Sequence, residues 1–380
     1  LMADWLIILL LPLAAWSGWW LAMRKEAREW RANKTHAAYF EGVGFLLNDQ
    51  TDRAVDVFLH MADLDQQMLE NQLTLGSLFR KRGELDRALH LHRQLRSHEQ
   101  LSDTQRLAID YELAEDYTAA GMYSQAQSLF EALLQAQYRQ TDILPALAHI
   151  YERTKQWSQT IALAAQFPAQ DNAIRRKALS HYHCELAGQA LTRSADDEAA
   201  NQLAQALAAD RDCVRANRMR GQLFLRRGEY VNAIHALQTI GEQSAELLPD
   251  VLPDIANAYH AIARDDEYRN WLETVEVREK NPRLTLALAE LIATTSREAA
   301  ADLLQQRMAD KQTPLLLAAY LDYRDTYAPL AQSAGKFVRP RTVYQCNECG
   351  FRQQNLIWHC PACFAWSSFR PLLELKVENR

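Results

Sequence analysis

The chain has 380 residues, of which 48% are hydrophobic and 24% charged, so it is globular and long enough for roughly two or three domains. Only 12 glycines and 11 prolines occur, which favours helix and excludes a disordered chain. A formal net charge of −6 gives no broad electrostatic attraction for nucleic acid, and four of the six cysteines fall within 346–363, unlike a disulfide-rich secreted fold.

Residues 5–23 carry no charge. A helix of that length reaches roughly 30 Å, one hydrocarbon core. Trp5 marks one end, and Trp16, Trp19 and Trp20 lie near the other, where indoles favour the headgroup boundary. Only Asp4 precedes the run, whereas Arg24, Lys25, Arg28, Arg31 and Lys34 follow it. The positive-inside rule then puts the body of the chain on the cytosolic side. A cleaved signal peptide would need a basic leading region, which is missing. Residues 1–23 are therefore expected to be a transmembrane anchor, and 24–34 a basic juxtamembrane segment.

A pattern then recurs: a small residue, an aromatic three later, often a glycine, and an alanine twelve after the first. Gly76, Phe79, Gly83 and Ala88 form one copy, and Ala114, Tyr117, Gly121 and Ala126 another. Gly221, Phe224, Gly228 and Ala233 form a third, and Gly42, Phe45 and Ala54 an earlier one. Weaker copies start at Ala148, Ala187 and Ala256. The starting residues are 34, 38, 34, 39, 34 and 35 apart. Small residues let two antiparallel helices approach, and the glycine supplies the positive φ that ends the first helix. The spacing and residue types resemble the tetratricopeptide repeat. That resemblance predicts an all-α, right-handed solenoid over 35–335, with about nine repeats. Its concave groove would bind protein segments. Projecting the repeat phase places Arg80, Lys81, Arg215, Arg218 and Arg226 on the inner face, against the plainer reading that they are solvated cations.

His181, His183 and Cys184 sit on one expected helix, but residues two apart do not share a face, so no metal site is expected there. Cys213 reads as a plain thiol. None of the common nucleotide-loop, zinc-protease or nucleophile-elbow motifs occurs, and no enzyme constellation is expected.

Cys346, Cys349, Cys360 and Cys363 form two C-x-x-C pairs. Each tight turn aims two sulfurs at one point, and Gly350 and Pro361 are turn residues beside them. Four thiolates suit one tetrahedral zinc ion; the same set also binds iron in a rubredoxin-like centre. His359 adjoins a full shell and is read as a neighbour. Residues 340–380 hold Tyr344, Phe351, Trp358, Phe364, Trp366 and Phe369. So small a ribbon cannot bury these rings alone. It is expected to dock on the helices rather than swing on 335–340.

Anchor, repeats and ribbon together resemble the lipopolysaccharide assembly protein B family. The stretches that carry the resemblance include GVGFLLNDQTDRAVDVFL, LTLGSLFRKRGELDRALHLH, HYHCELA and YQCNECGF with WHCPACFAWSSF. The resemblance implies a non-enzymatic adaptor at the cytoplasmic face of the cell inner membrane. Its implied partners are the AAA+ protease FtsH, the lipid A deacetylase LpxC and an inner-membrane lipopolysaccharide sensor protein. A homo-oligomer also stays open. Alternatives from other classes are a rubredoxin-like electron carrier, a general membrane-tethered scaffold, and a ribbon that meets nucleic acid through Arg339, Arg341 and Arg352.

Overall fold

The computed structural model describes residues 66–98, 101–167, 173–310, 313–324 and 339–376, besides isolated helical positions at Trp16, Trp20, Met23, Phe45, Arg53 and Val57. The expected anchor (1–23), the basic segment (24–34) and the repeat copy at Gly42 otherwise lie outside the described residues. Among the described residues no helix is long and apolar enough to cross a membrane. The chain divides into two compact units, Leu1–Gln156 and Trp157–Arg380.

In the first unit α1 (Gln66–Lys81), α2 (Leu85–Arg96), α3 (Asp103–Ala119), α4 (Tyr123–Gln135) and α5 (Gln140–Arg153) follow one another through short links. Helix α3 opens on a reciprocal cap, in which Ser102 accepts from the Gln105 N–H and Gln105 accepts from that of Ser102. The close approach inferred for the small residues is present. A Cβ at Gly76 would stand 2.2 Å from Nε2 of His92 on the facing helix. The repeat alanines Ala88, Ala114 and Ala126 are 0% exposed.

The second unit begins with α6 (Trp157–Ala164), α7 (Ala173–Thr192), α8 (Asp196–Ala209), α9 (Val214–Arg227) and α10 (Tyr230–Gln243). A 3-10 turn, Leu248–Val251, leads to α11 (Leu252–Ala261), α12 (Asp265–Glu279), α13 (Pro282–Ala293), α14 (Arg297–Asp310) and α15 (Pro314–Tyr323). Here too a Cβ at Gly221 would meet Leu237 at 2.5 Å, so only glycine lets α10 lie this close to α9.

In six of the seven helix pairs among the described residues the turn keeps one geometry whether or not glycine occupies it; between α13 and α14 Thr294 stays at φ −63° and no residue turns positive. Gly83, Gly121 and Lys155 in the first unit have φ of 82°, 71° and 58°. In the second, Ser194, Gly228 and Ala263 have 58°, 73° and 55°. The next N–H then reaches back five residues, as from Glu84 to Phe79 O (2.9 Å) and from Arg264 to Tyr259 O (3.0 Å). That bond satisfies an otherwise orphaned helix carbonyl.

Three strands complete the second unit: β1 (Arg339–Cys346), β2 (Arg352–Gln353) and β3 (Phe369–Lys376). The order is β2-β1-β3, with β1 antiparallel to both neighbours. Pairing runs from Arg339 opposite Lys376 to Cys346 opposite Phe369, so β3 returns the chain beside the first cysteine pair. Tyr344, Cys346, Cys360 and Phe369 join one buried cluster with Leu252, Ile255, Leu284 and other helix residues. The ribbon is thus packed onto the helices, as its excess of rings required.

A non-glycine residue at positive φ costs about 1–2 kcal/mol. Ala263→Gly is therefore expected to raise stability by about 1 kcal/mol, read as a higher urea midpoint. Gly228→Ala should lower it by a similar amount, through backbone strain alone, since a Cβ there meets nothing within 4 Å.

Candidate metal centre and its seat on the helices

Two short loops make the site. In the first, the Gly350 N–H donates to Cys346 O (2.9 Å) and the Cys346 N–H to Phe351 O (2.9 Å). In the second, the Phe364 N–H donates to Cys360 O (3.0 Å) and the Cys360 N–H to Ala365 O (3.0 Å). The loops superimpose in bonding, with Gly350 at φ 78° matched by Phe364 at φ 59°.

The four sulfurs lie within 4.8 Å of one another. Cys346 Sγ is 3.6 Å from Cys363 Sγ, and Cys349 Sγ is 3.6 Å from Cys360 Sγ. A tetrahedron of 2.3 Å metal–sulfur bonds has edges of about 3.8 Å, whereas a disulfide needs about 2.05 Å. The residues therefore fit one four-coordinate metal ion. Burial raises the Cys346 thiol, but the Ser368 hydroxyl and the N–H groups of Cys349 and Glu348 bring it down to about 6. Ser368 Oγ stands 3.2 Å from that sulfur. A bound ion would be held by all four cysteines, leaving no protein-free position in a tetrahedral shell.

Beyond the last cysteine the chain inserts Trp366 into the helices. Its indole is stacked on His181 of α7, with centroids 4.8 Å apart, and on His359 of the ribbon at 4.2 Å. Trp157 and Tyr182 meet its edge at 6.2 Å and 5.9 Å. His181 Nε2 lies 2.6 Å from Ser367 Oγ. Burial first, then Arg215 and Lys177, lower the imidazole to about 3, so it is neutral at physiological pH. Farther along β1, the Tyr344 hydroxyl donates to Asp250 Oδ2 (2.8 Å), and Asp250 also pairs with Arg283. Burial, then the Asp250 carboxylate, push the Tyr344 hydroxyl up to about 12.

Sequence reasoning placed His181 on a helix but missed its role. His183 instead bonds Gln202 Oε1 at 2.8 Å. Cys184 and Cys213 are buried in one cluster of small residues. The five cations assigned to the inner face occupy different settings. Arg80 is held by Glu112 (2.7 Å) and by the fully buried Asp116 (2.6 Å), which also lies 2.6 Å from His92 Nδ1. Arg215 pairs with Glu185 (2.9 Å) and Arg226 with Asp196 (3.0 Å). Lys81 is exposed and Arg218 half-buried. Arg80 and Arg215 thus tie successive repeats together, and the spacing of one repeat period between partners was the available signal.

Fold and site define a helical-repeat protein of tetratricopeptide type that carries a four-cysteine metal-binding ribbon. Residues 344–371 match the family described as rubredoxin metal binding domain. Lipopolysaccharide assembly protein B of Escherichia coli strain K12 is 33% identical, over 97% of this chain and 98% of its own. The Haemophilus influenzae protein of that name is 31% identical over the same shares. The chain belongs to the lipopolysaccharide assembly protein B family. Among solved structures, the tetratricopeptide-repeat protein YrrB is similar at 20% identity and TM-score 0.31, over 50% of this chain and 90% of its own.

Two outcomes are expected. Trp366 is half-buried, so Trp366→Ala should cost about 2–3 kcal/mol, below the usual penalty for a fully buried indole. It should strip hydrogen-exchange protection from α7 while metal content stays near one ion per chain; Cys349→Ser should lose the ion itself. The second concerns His181, whose unfolded value is about 6.5. Its folded value is lower, so its contribution is fully present above about pH 6.5 and is lost as pH falls toward 3. Between pH 6.5 and 5, His181→Asn should flatten the fall in stability by up to about 1.4 kcal/mol per pH unit in urea titrations.

Proposed function

We propose that this chain is an adaptor in lipopolysaccharide assembly that brings the LpxC deacetylase to the membrane-anchored protease FtsH. The observation that carries this reading is the match to relatives named for lipopolysaccharide assembly, which spans 97% of the chain, ribbon and repeats together. The physical chemistry agrees with it. Stacked repeats offer extended surface for protein segments. The ribbon packs on the helices of the second unit through Trp366 and Tyr344, so those helices and the ribbon form one docking platform.

In this reading the uncharged run at 5–23 anchors the chain in the inner membrane with its bulk on the cytoplasmic side. Anchoring adaptor and protease in one membrane raises their effective concentration without any new contact. An inner-membrane lipopolysaccharide sensor restrains the adaptor. The chain performs no chemistry of its own, and its ion is structural zinc, held by a closed set of four thiolates.

Depleting the protein from cells should raise the deacetylase level several-fold, measured by immunoblot after synthesis is stopped. An unchanged level and half-life would overturn the adaptor role. Metal analysis of the purified chain should find zinc; iron with a visible absorption band would favour an electron carrier instead.

A further inference from the structure

The helices that carry the ribbon leave a groove of about 630 Å³ between α11, α13 and the start of α15. This volume falls in the range that accepts several side chains of a ligand. Its walls are mostly apolar, through Leu252, Ala256, Leu286, Leu291 and Leu315. All belong to the first helices of successive pairs, so the groove runs from one repeat to the next.

Two charged side chains reach it, and they differ. Arg283 is neutralised by Asp250, the same carboxylate that takes the Tyr344 hydroxyl of the ribbon. Glu290 has no ion pair or hydrogen bond among the described residues. It is open to solvent, yet partial burial raises its carboxyl and no cation acts to lower it. Burial and then its charge raise the hydroxyls of Tyr268 on α12 and Tyr323 on α15, neither of which supplies positive charge. An unopposed carboxylate among apolar walls gains most from a cation brought by the occupant.

The alternatives fit less well. One carboxylate offers too few ligands for a metal ion. An anionic headgroup or a nucleic acid would meet Glu290 as a like charge. A lipid chain would leave it unpaired.

We propose that this groove binds a peptide segment whose apolar side chains lie against Leu252, Leu286, Leu291 and Leu315 and whose single lysine or arginine meets Glu290. The proposal rests on the docking-platform reading and names the surface and the chemistry of its guest. The guest is an apolar segment with one basic residue, in extended or helical form.

The test uses the full chain and a displayed library of random heptapeptides, with counter-selection against an Ala287→Trp variant that fills the groove. Enriched sequences should carry several of Leu, Ile, Val and Phe with one Lys or Arg. Glu290→Gln should weaken the best labelled peptide at least fivefold by fluorescence anisotropy. Glu290→Lys should turn the enriched charge to Asp or Glu. Glu290 is exposed, so these two variants leave the fold in place and stand apart from any effect of Ala287→Trp on packing. Three results would overturn the proposal: no enrichment, enrichment without a basic residue, or a charge preference that Glu290→Lys leaves unaltered. A failed selection beside a deacetylase level that still rises on depletion would remove this groove and keep the adaptor role. A successful selection with an unchanged deacetylase level would do the reverse.

Discussion

Trp366 lies three residues beyond the last cysteine, and its ring fills the space between His359 of the ribbon and His181 of α7. The seat of the ribbon on α6 and α7 depends on that insertion. The cysteine loops set the direction in which the indole leaves the ribbon. The helices supply the walls that a ribbon of this size cannot build for itself. Ser367 adds a polar contact that keeps the neutral His181 oriented. A bound metal would stiffen the loops from which Trp366 projects, and so its effect reaches the helix surface without touching it.

The helical repeats answer a different constraint. No helix pair can cover its own apolar face, so each must be capped by its neighbour. Close approach needs small residues at the crossing, and Gly76 and Gly221 meet that need where a methyl group would collide with His92 or Leu237. Charge is used between repeats as well as apolar contact. Arg80 bridges to Glu112 and Asp116, and Arg215 to Glu185. A buried pair of this sort contributes less to net stability than to register, because desolvation consumes much of the attraction. The arginines that could have served as ligands for a partner are in part committed to joining repeats.

Membership of the lipopolysaccharide assembly protein B family joins these two features in one molecule. In the proposed adaptor role, a ribbon packed on stacked helices would offer a partner a preformed surface, which spares the ordering cost that a mobile one would incur. Asp250 shows how closely the parts are joined. It accepts from Tyr344 of the ribbon and pairs with Arg283 at the edge of the apolar groove.

What could be read from sequence alone was local. Two C-x-x-C pairs are each built from a few contiguous residues, so their spacing already determines a four-sulfur site. The repeat, too, is written within some 34 residues, in a small residue, an aromatic and a turn. Even there the pattern underreported itself, because Lys155, Ser194 and Ala263 adopt the turn geometry without glycine. Tertiary structure alone decided the rest. His181 meets Ser367 across 186 residues, and Tyr344 meets Asp250 across 94. Glu290 became notable only when folding placed it on a largely apolar groove where, among the described residues, no cation pairs with it. Such contacts leave no periodic trace, since their energy depends on which surfaces the packed helices happen to bring together.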